Sequence, residues 1–163
     1  MPESRNMLVE SARIARAEIK PLQELQAKDF QGIILPGGFG TAKNLCNFAA
    51  KGSGGETLPA LAAILKSFHS AKKPIGAVCI APAILALTFK GSPLTLTVGE
   101  KSEASSEIEK LGHHHKICPA DQSVADRQNN IFTTPAYMYD AASLSDIHAG
   151  ISAMVRDILA AAN

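Results

Sequence analysis

The stretch IGAVCIAPAIL, residues 75–85, places one of only three cysteines where a β-branched run gives way to helix formers. Cys79 would end a buried strand, and Ala81, Pro82 and Ala83 would open a helix, with Pro82 tolerated because a first-turn N–H has no intrahelical partner. A thiol at that point meets the positive end of the helix dipole, which favours the nucleophilic thiolate and lowers its pKa. Gly76 before it and the small Ala81 after it leave room for a sharp strand-to-helix turn of the nucleophile-elbow kind, with Cys in place of Ser. The same position suits a small buried core residue, the usual fate of a free cysteine. Position alone leaves both readings open.

A second reactive arrangement is offered by IILPGGFG, where a strand runs into Pro36, Gly37, Gly38 and Gly40. In open parallel sheets ligands bind at the carboxyl ends of strands. Paired glycines there can turn backbone N–H groups toward an anion or a developing oxyanion, although a tight turn explains a lone Gly-Gly pair as well. Cys46, in TAKNLCNFAA, reads as part of a short helix after that turn, and Cys118 as the end of a short strand before Pro119; both are assigned to packing. His113, His114 and His115 are consecutive, so in an extended segment neighbouring rings point to opposite faces and cannot all bind one metal. His115 is the candidate base beside the thiolate, against the alternative that all three are solvated. His69 and His148 read as ordinary helix residues.

These groups need a scaffold, and the chain of 163 residues, 46% hydrophobic, is long enough for one compact domain. Strand-like runs fall at 32–35, 75–79, 94–98, 115–118 and 131–134. Helical patterns fall at 58–71, 81–89 and 103–111, and a C-terminal helix carries Leu144, Ile147, Ile151, Met154, Val155, Ile158 and Leu159 on one apolar face. Alternating strands and helices predict an α/β fold with a mainly parallel sheet covered on both faces, and the unbroken apolar runs GIIL and IGAVC predict central strands. KGSGGET, 51–57, reads as a surface loop.

Composition narrows the function. The net charge of +1, with Lys and Arg scattered, argues against a polyanion-binding or membrane surface, and the lack of Trp argues against base-stacking platforms. A small-molecule partner is expected. Three cysteines without a CxxC pair argue against a disulfide framework or structural zinc. With no apolar leader and no run near the ~20 residues of a membrane span, a cytoplasmic location is expected, or a mitochondrial one if a longer precursor exists.

GGFGTAKNLCNFA, KPIGAVCIAPAIL and NNIFTTPAYM, in that order and spacing, resemble the enhancing lycopene biosynthesis protein branch of the PfpI-like superfamily, which also holds the parkinsonism-associated deglycase. The resemblance runs from ESRNMLVESARIAR to the C-terminal helix. It implies a flavodoxin-like three-layer α/β/α sandwich of the class I glutamine amidotransferase-like kind, with Cys79 as elbow nucleophile. It further implies that Gly37 and Gly38, with the N–H of Ile80, form the oxyanion pocket, that His115 stands near the site, and that Lys43 and Asn44 line the pocket. Thr134 and Pro135 match a supporting turn. Family members begin with a further strand, helix and strand whose first loop carries a glutamate bonded to the cysteine. Residues 1–163 are therefore read as one domain, N-terminally truncated relative to the family, in which Glu3 and Glu10, on a helical pattern, cannot inherit that role.

The expected activity is that of a cysteine-dependent, glutathione-independent glyoxalase or hydrolase acting on small reactive carbonyls, associated with isoprenoid metabolism through the family name. No cofactor or metal is expected, since GGFG lacks the GxGxxG spacing of a dinucleotide site. The alternative is a non-catalytic redox sensor using the same thiol. Glutaminase activity is not expected, because no clear Cys–His–Glu set is evident. A homodimer is expected from the habits of the superfamily.

Overall fold

The computed structural model describes residues 5–16 and 18–162. Six strands, β1 (Ile33–Leu35), β2 (Ile75–Val78), β3 (Thr95–Leu96), β4 (His114–His115), β5 (Val124–Asp126) and β6 (Ile131–Thr134), form two sheets. The larger has the order β1-β2-β6-β5, and β3 pairs with β4 in a parallel two-stranded ribbon. β1, β2 and β6 are parallel, and β5 is antiparallel to β6. The sheet is thus mainly parallel, as expected, with one antiparallel edge. The α-helices among the described residues are α1 (Met7–Ala15), α2 (Phe48–Lys51), α3 (Pro59–Ser70), α4 (Pro82–Thr88), α5 (Glu103–Lys110) and α6 (Leu144–Ala161).

Local chemistry explains the long helices. Pro59 opens α3, whose Leu61, Ile64, Leu65 and Phe68 recur at helical spacing and are all buried. α5 begins at a reciprocal cap in which Ser102 and Ser105 exchange side-chain and backbone hydrogen bonds. In α6, capped by Ser143 Oγ, the buried line is Ile147, Gly150, Met154 and Ile158. Leu144 and Leu159, expected on the apolar face, are instead exposed. The helix touches the sheet along a narrower line, and that line includes a glycine that a count of apolar side chains does not score.

α3 and α4 cover one side of the sheet, where Leu65, Phe68, Ile75, Ile84, Leu85 and Leu96 form the main core. At about 1.5–3 kcal/mol for each large side chain taken from water, this side dominates the stability of the fold. On the other side α6 covers β2 and β6 through Phe132, Met154 and Ile158. That cover stops short of β1, leaving Ile34 40% exposed, so GIIL is not buried on both faces as its apolar run predicts. β5 was not expected: Val124–Asp126 is short, lies among polar residues, and becomes a strand by pairing with β6. Cys46 lies after the helical turn Thr41–Leu45, in extended backbone bridged to Thr57, and Cys118 lies beyond β4 rather than ending it. Glu10 is on α1, while Glu3 lies outside the described residues.

The three histidines diverge as alternation predicts. His114 is exposed, His115 half-buried and His113 buried. The Leu94 N–H donates to His113 Nδ1 at 3.2 Å, so Nε2 carries the proton and donates to Ala86 O at 2.9 Å, tying α4 to the residue before β3. Burial, partly offset by Ala86 O, pushes the His113 pKa below its ordinary value. The folded protein then holds fewer protons than the unfolded chain below about pH 6.5. Stability is therefore expected to fall as pH drops from 7 toward 5, and His113→Gln to flatten that slope in urea titrations. An unchanged slope would mean that His113 does not titrate in this range.

Candidate active site

β2 ends at Val78, and the chain reverses at once. The Ala81 N–H donates to Val78 O at 3.0 Å, closing a four-residue turn with Cys79 and Ile80 at its centre. Cys79 has φ of +61°, a left-handed conformation that costs a side-chain-bearing residue roughly 1–2 kcal/mol. Two contacts hold it there. The Cys79 N–H donates to Thr134 O at 2.9 Å, and the Thr134 hydroxyl donates to Gln122 O at 2.9 Å, so the TTPA turn braces the elbow from β6.

The glycine turn braces it from β1. A Cβ on Gly37 would lie 2.5 Å from Cys79 Cβ and 2.9 Å from Val78 O, so only glycine fits against the elbow. Gly38 takes φ of +104°, which glycine alone adopts without strain. Thr41 Oγ donates to Pro36 O and Gly37 O, each at 3.0 Å, and pins the turn.

A cleft of about 820 Å³ opens beside this junction; Gly38, Cys79 and Ile80 line it together with Phe39, Phe48, Ala104, Tyr137 and Met138, and its charged lining residues are Lys51, Glu103, Glu107 and Asp140. The N–H groups of Gly38 and Ile80 have no acceptor among the described residues, whereas that of Cys79 is used by Thr134. The turn therefore presents unused donors beside a half-buried thiol. Cys46 and Cys118 are buried, and burial pushes both thiols up from their ordinary range.

The sequence-predicted site residues divide. Cys79, Ile80, Gly37 and Gly38 come together. His115 is not among the residues lining the cleft, and its Nε2 accepts from the Val98 N–H at 3.3 Å. Lys43 and Asn44 do not line it either; the Lys43 ammonium sits 5.2 Å over the Phe39 ring. Glu103, Glu107 and Asp140 were not anticipated. The i, i+4 spacing of Glu103 and Glu107 puts them on one face of α5, but nothing local says that this face borders the cysteine. The Lys110 ammonium, with help from Ser53, holds the Glu107 carboxyl down at about 2. Among the described residues no group of three His, Cys, Asp or Glu side chains is placed to hold a metal ion.

A parallel sheet, a strained cysteine between strand and helix, and a glycine turn against it define the class. The chain belongs to the DJ-1/PfpI family, whose model matches residues 9–100, and its fold is the flavodoxin-like, amidotransferase-like one. It is 42% identical over 166 residues to the ES1 protein homolog, mitochondrial, of Rattus norvegicus, with 96% of this chain and 61% of that protein aligned. The same identity and coverage, 42%, 96% and 61%, relate it to the human glutamine amidotransferase-like class 1 domain-containing protein 3, mitochondrial. The crystal structure of an isoprenoid biosynthesis protein with amidotransferase-like domain from Ehrlichia chaffeensis superimposes with a TM-score of 0.88 at 36% identity, over all of this chain and 74% of that one. The chain thus spans about three fifths of the length of these curated relatives. Among the described residues no helix is long and apolar enough to cross a membrane.

Proposed function

We propose that the protein is a cysteine-dependent, glutathione-independent enzyme of glyoxalase or hydrolase type that acts on reactive carbonyl compounds. The observation that carries this reading is the Cys79 elbow, a half-buried thiol held at positive φ on the wall of a cleft beside the unused Gly38 and Ile80 N–H groups. A buried packing cysteine does not need a strained backbone or an adjacent pair of free donors.

The Cys79 thiolate adds to the aldehyde carbon of a 2-oxoaldehyde, and the carbonyl electron pair moves to oxygen, where the Gly38 and Ile80 N–H groups receive it. A proton then passes from C1 to C2, which oxidises C1 to a thioester and reduces the ketone to an alcohol. Water hydrolyses the thioester to a 2-hydroxy acid and restores the thiol, so no external oxidant is needed. Water in the cleft is assigned the proton transfer, because His115 is not among the lining residues.

The name of the Ehrlichia protein supports a link to isoprenoid metabolism, and those of the two mammalian relatives favour a mitochondrial location over a cytoplasmic one. Cys79→Ser is expected to reduce methylglyoxal turnover at least a thousandfold while leaving the unfolding free energy within about 1 kcal/mol of the parent. Turnover that survives the substitution, or none in the parent, would sink the enzymatic reading. A second reading, oxidation of Cys79 in a redox sensor, is favoured by Cys79 being the one cysteine that is not buried. It predicts peroxide-dependent mass gain at Cys79 without turnover.

A further inference from the structure

Two aromatic side chains on the cleft wall are left in water. Phe39, directly after the glycine turn, is 81% exposed, and Tyr137, two residues after Pro135, is 62% exposed. They come from opposite sides of the elbow, one following β1 and the other following β6. The same cleft is lined by the apolar Phe48, Ile80, Ala104 and Met138, alongside the charged Lys51, Glu103, Glu107 and Asp140. Folding leaves unused the ~1.5–3 kcal/mol that burial of a large apolar side chain supplies. The Lys43 ammonium lies 5.2 Å from the Phe39 centroid, a cation–π contact to the exposed ring.

The size of the cleft points the same way. A three-carbon dicarbonyl has five heavy atoms and, at roughly the 30 Å³ that liquid water takes for each, fills ~150 Å³. That is about a fifth of the 820 Å³ available, a space in the range of clefts that enclose ligands several times larger.

We propose that the Cys79 cleft selects electrophiles carrying an aryl or branched-alkyl substituent, with Phe39 and Tyr137 as its specificity determinants. The reactive carbon sits at Cys79 and the Gly38 and Ile80 N–H groups, and the apolar substituent covers the two exposed rings. This deepens the carbonyl reading, on which it rests only in making Cys79 the reacting atom.

The test uses the full chain and two maleimides that differ in their substituent. In both, the thiolate adds across the C=C bond and the neighbouring carbon takes a proton from water. Second-order rates at Cys79 are read by mass spectrometry for N-phenylmaleimide and N-ethylmaleimide, and the same pair on glutathione gives the intrinsic ratio. The phenyl-over-ethyl ratio at Cys79 is expected to exceed that of glutathione about tenfold. Phe39→Ala and Tyr137→Ala are each expected to reduce it about threefold, the size of one offset-stacked aromatic contact. Both positions are exposed, so the folded state of each variant is easily verified by circular dichroism. A ratio within twofold of that of glutathione, or one that neither variant moves, overturns the proposal.

Turnover separates this from the enzymatic reading. If phenylglyoxal and methylglyoxal are consumed with equal kcat/KM, the carbonyl chemistry stands and the selectivity falls. If neither is consumed but the maleimide ratio holds, the selectivity stands and the enzymatic reading falls.

Discussion

Replacing Gly37 with alanine is expected to slow reaction at Cys79 by about a hundredfold, the scale of a misplacement of ~1 Å at a reacting centre. The added Cβ would lie 2.5 Å from Cys79 Cβ, 2.9 Å from Val78 O and 3.1 Å from Cys79 Sγ. Two of these contacts belong to the elbow's own backbone and Cβ and cannot be relieved by rotating a side chain. The turn after β1 must therefore withdraw, or Cys79 must leave its position. Either move separates the thiol from the Gly38 N–H. The accompanying loss of stability is expected at about 1–3 kcal/mol, the range for overpacking. Gly54→Ala is the matched control, because a Cβ there meets nothing within 4 Å and the backbone is not at positive φ. The measurement is the rate of iodoacetamide labelling at Cys79 in the parent and both variants. Equal rates for Gly37→Ala and the parent would show that the glycine turn does not position the thiol.

Gly150→Ala is expected to act mainly on stability. A Cβ at this helix position would stand 2.3 Å from Ala120 O, 2.9 Å from Thr134 Oγ1 and 3.0 Å from Gln122 O. Helix propensity favours alanine by ~1 kcal/mol, but the contact with the Ala120 carbonyl forces α6 away from the sheet. Overpacking at the upper end of the ~1–3 kcal/mol range then outweighs propensity, and the loosened contact between Met154, Ile158 and Phe132 adds to the loss. The expected net loss is on the order of 2 kcal/mol, read as a lower urea midpoint with an unchanged slope. Thr134 carries both the α6 contact and the hydrogen bond from the Cys79 N–H. The variant should therefore also alter labelling at Cys79, although less than Gly37→Ala does. A midpoint equal to or above that of the parent would falsify the close approach of α6 to the 120–122 segment.

Most of the elements were legible because their signals are local. Pro59 and Pro82 mark helix starts, the apolar spacing in α3 gives its buried face, and IGAVC ends in a turn that its glycine and small residues allow. The elbow was legible for the same reason, since a strand run, one cysteine and a helix start lie within eleven consecutive residues. β5 was not, because its strand character comes from pairing with β6 and not from its own sequence. The exposure of Ile34 was not legible either, because it depends on how far α6 reaches across the sheet.

His115 shows the limit from the other side. A histidine starting a strand run is a reasonable partner for a thiolate, yet β4 pairs with β3 and leaves the larger sheet, and the ring nitrogen is taken by Val98. The sequence by itself determined most of the strands and helices, the place of Cys79 between strand and helix and the glycine turn after β1, because periodicity, turn chemistry and helix starts act over a few residues. Only the tertiary structure decided that Phe39, Glu103 and Tyr137 face one cleft with Cys79 while His115 does not. Those neighbours are set by strand order and helix crossovers, which join segments tens of residues apart and leave no mark on the local pattern.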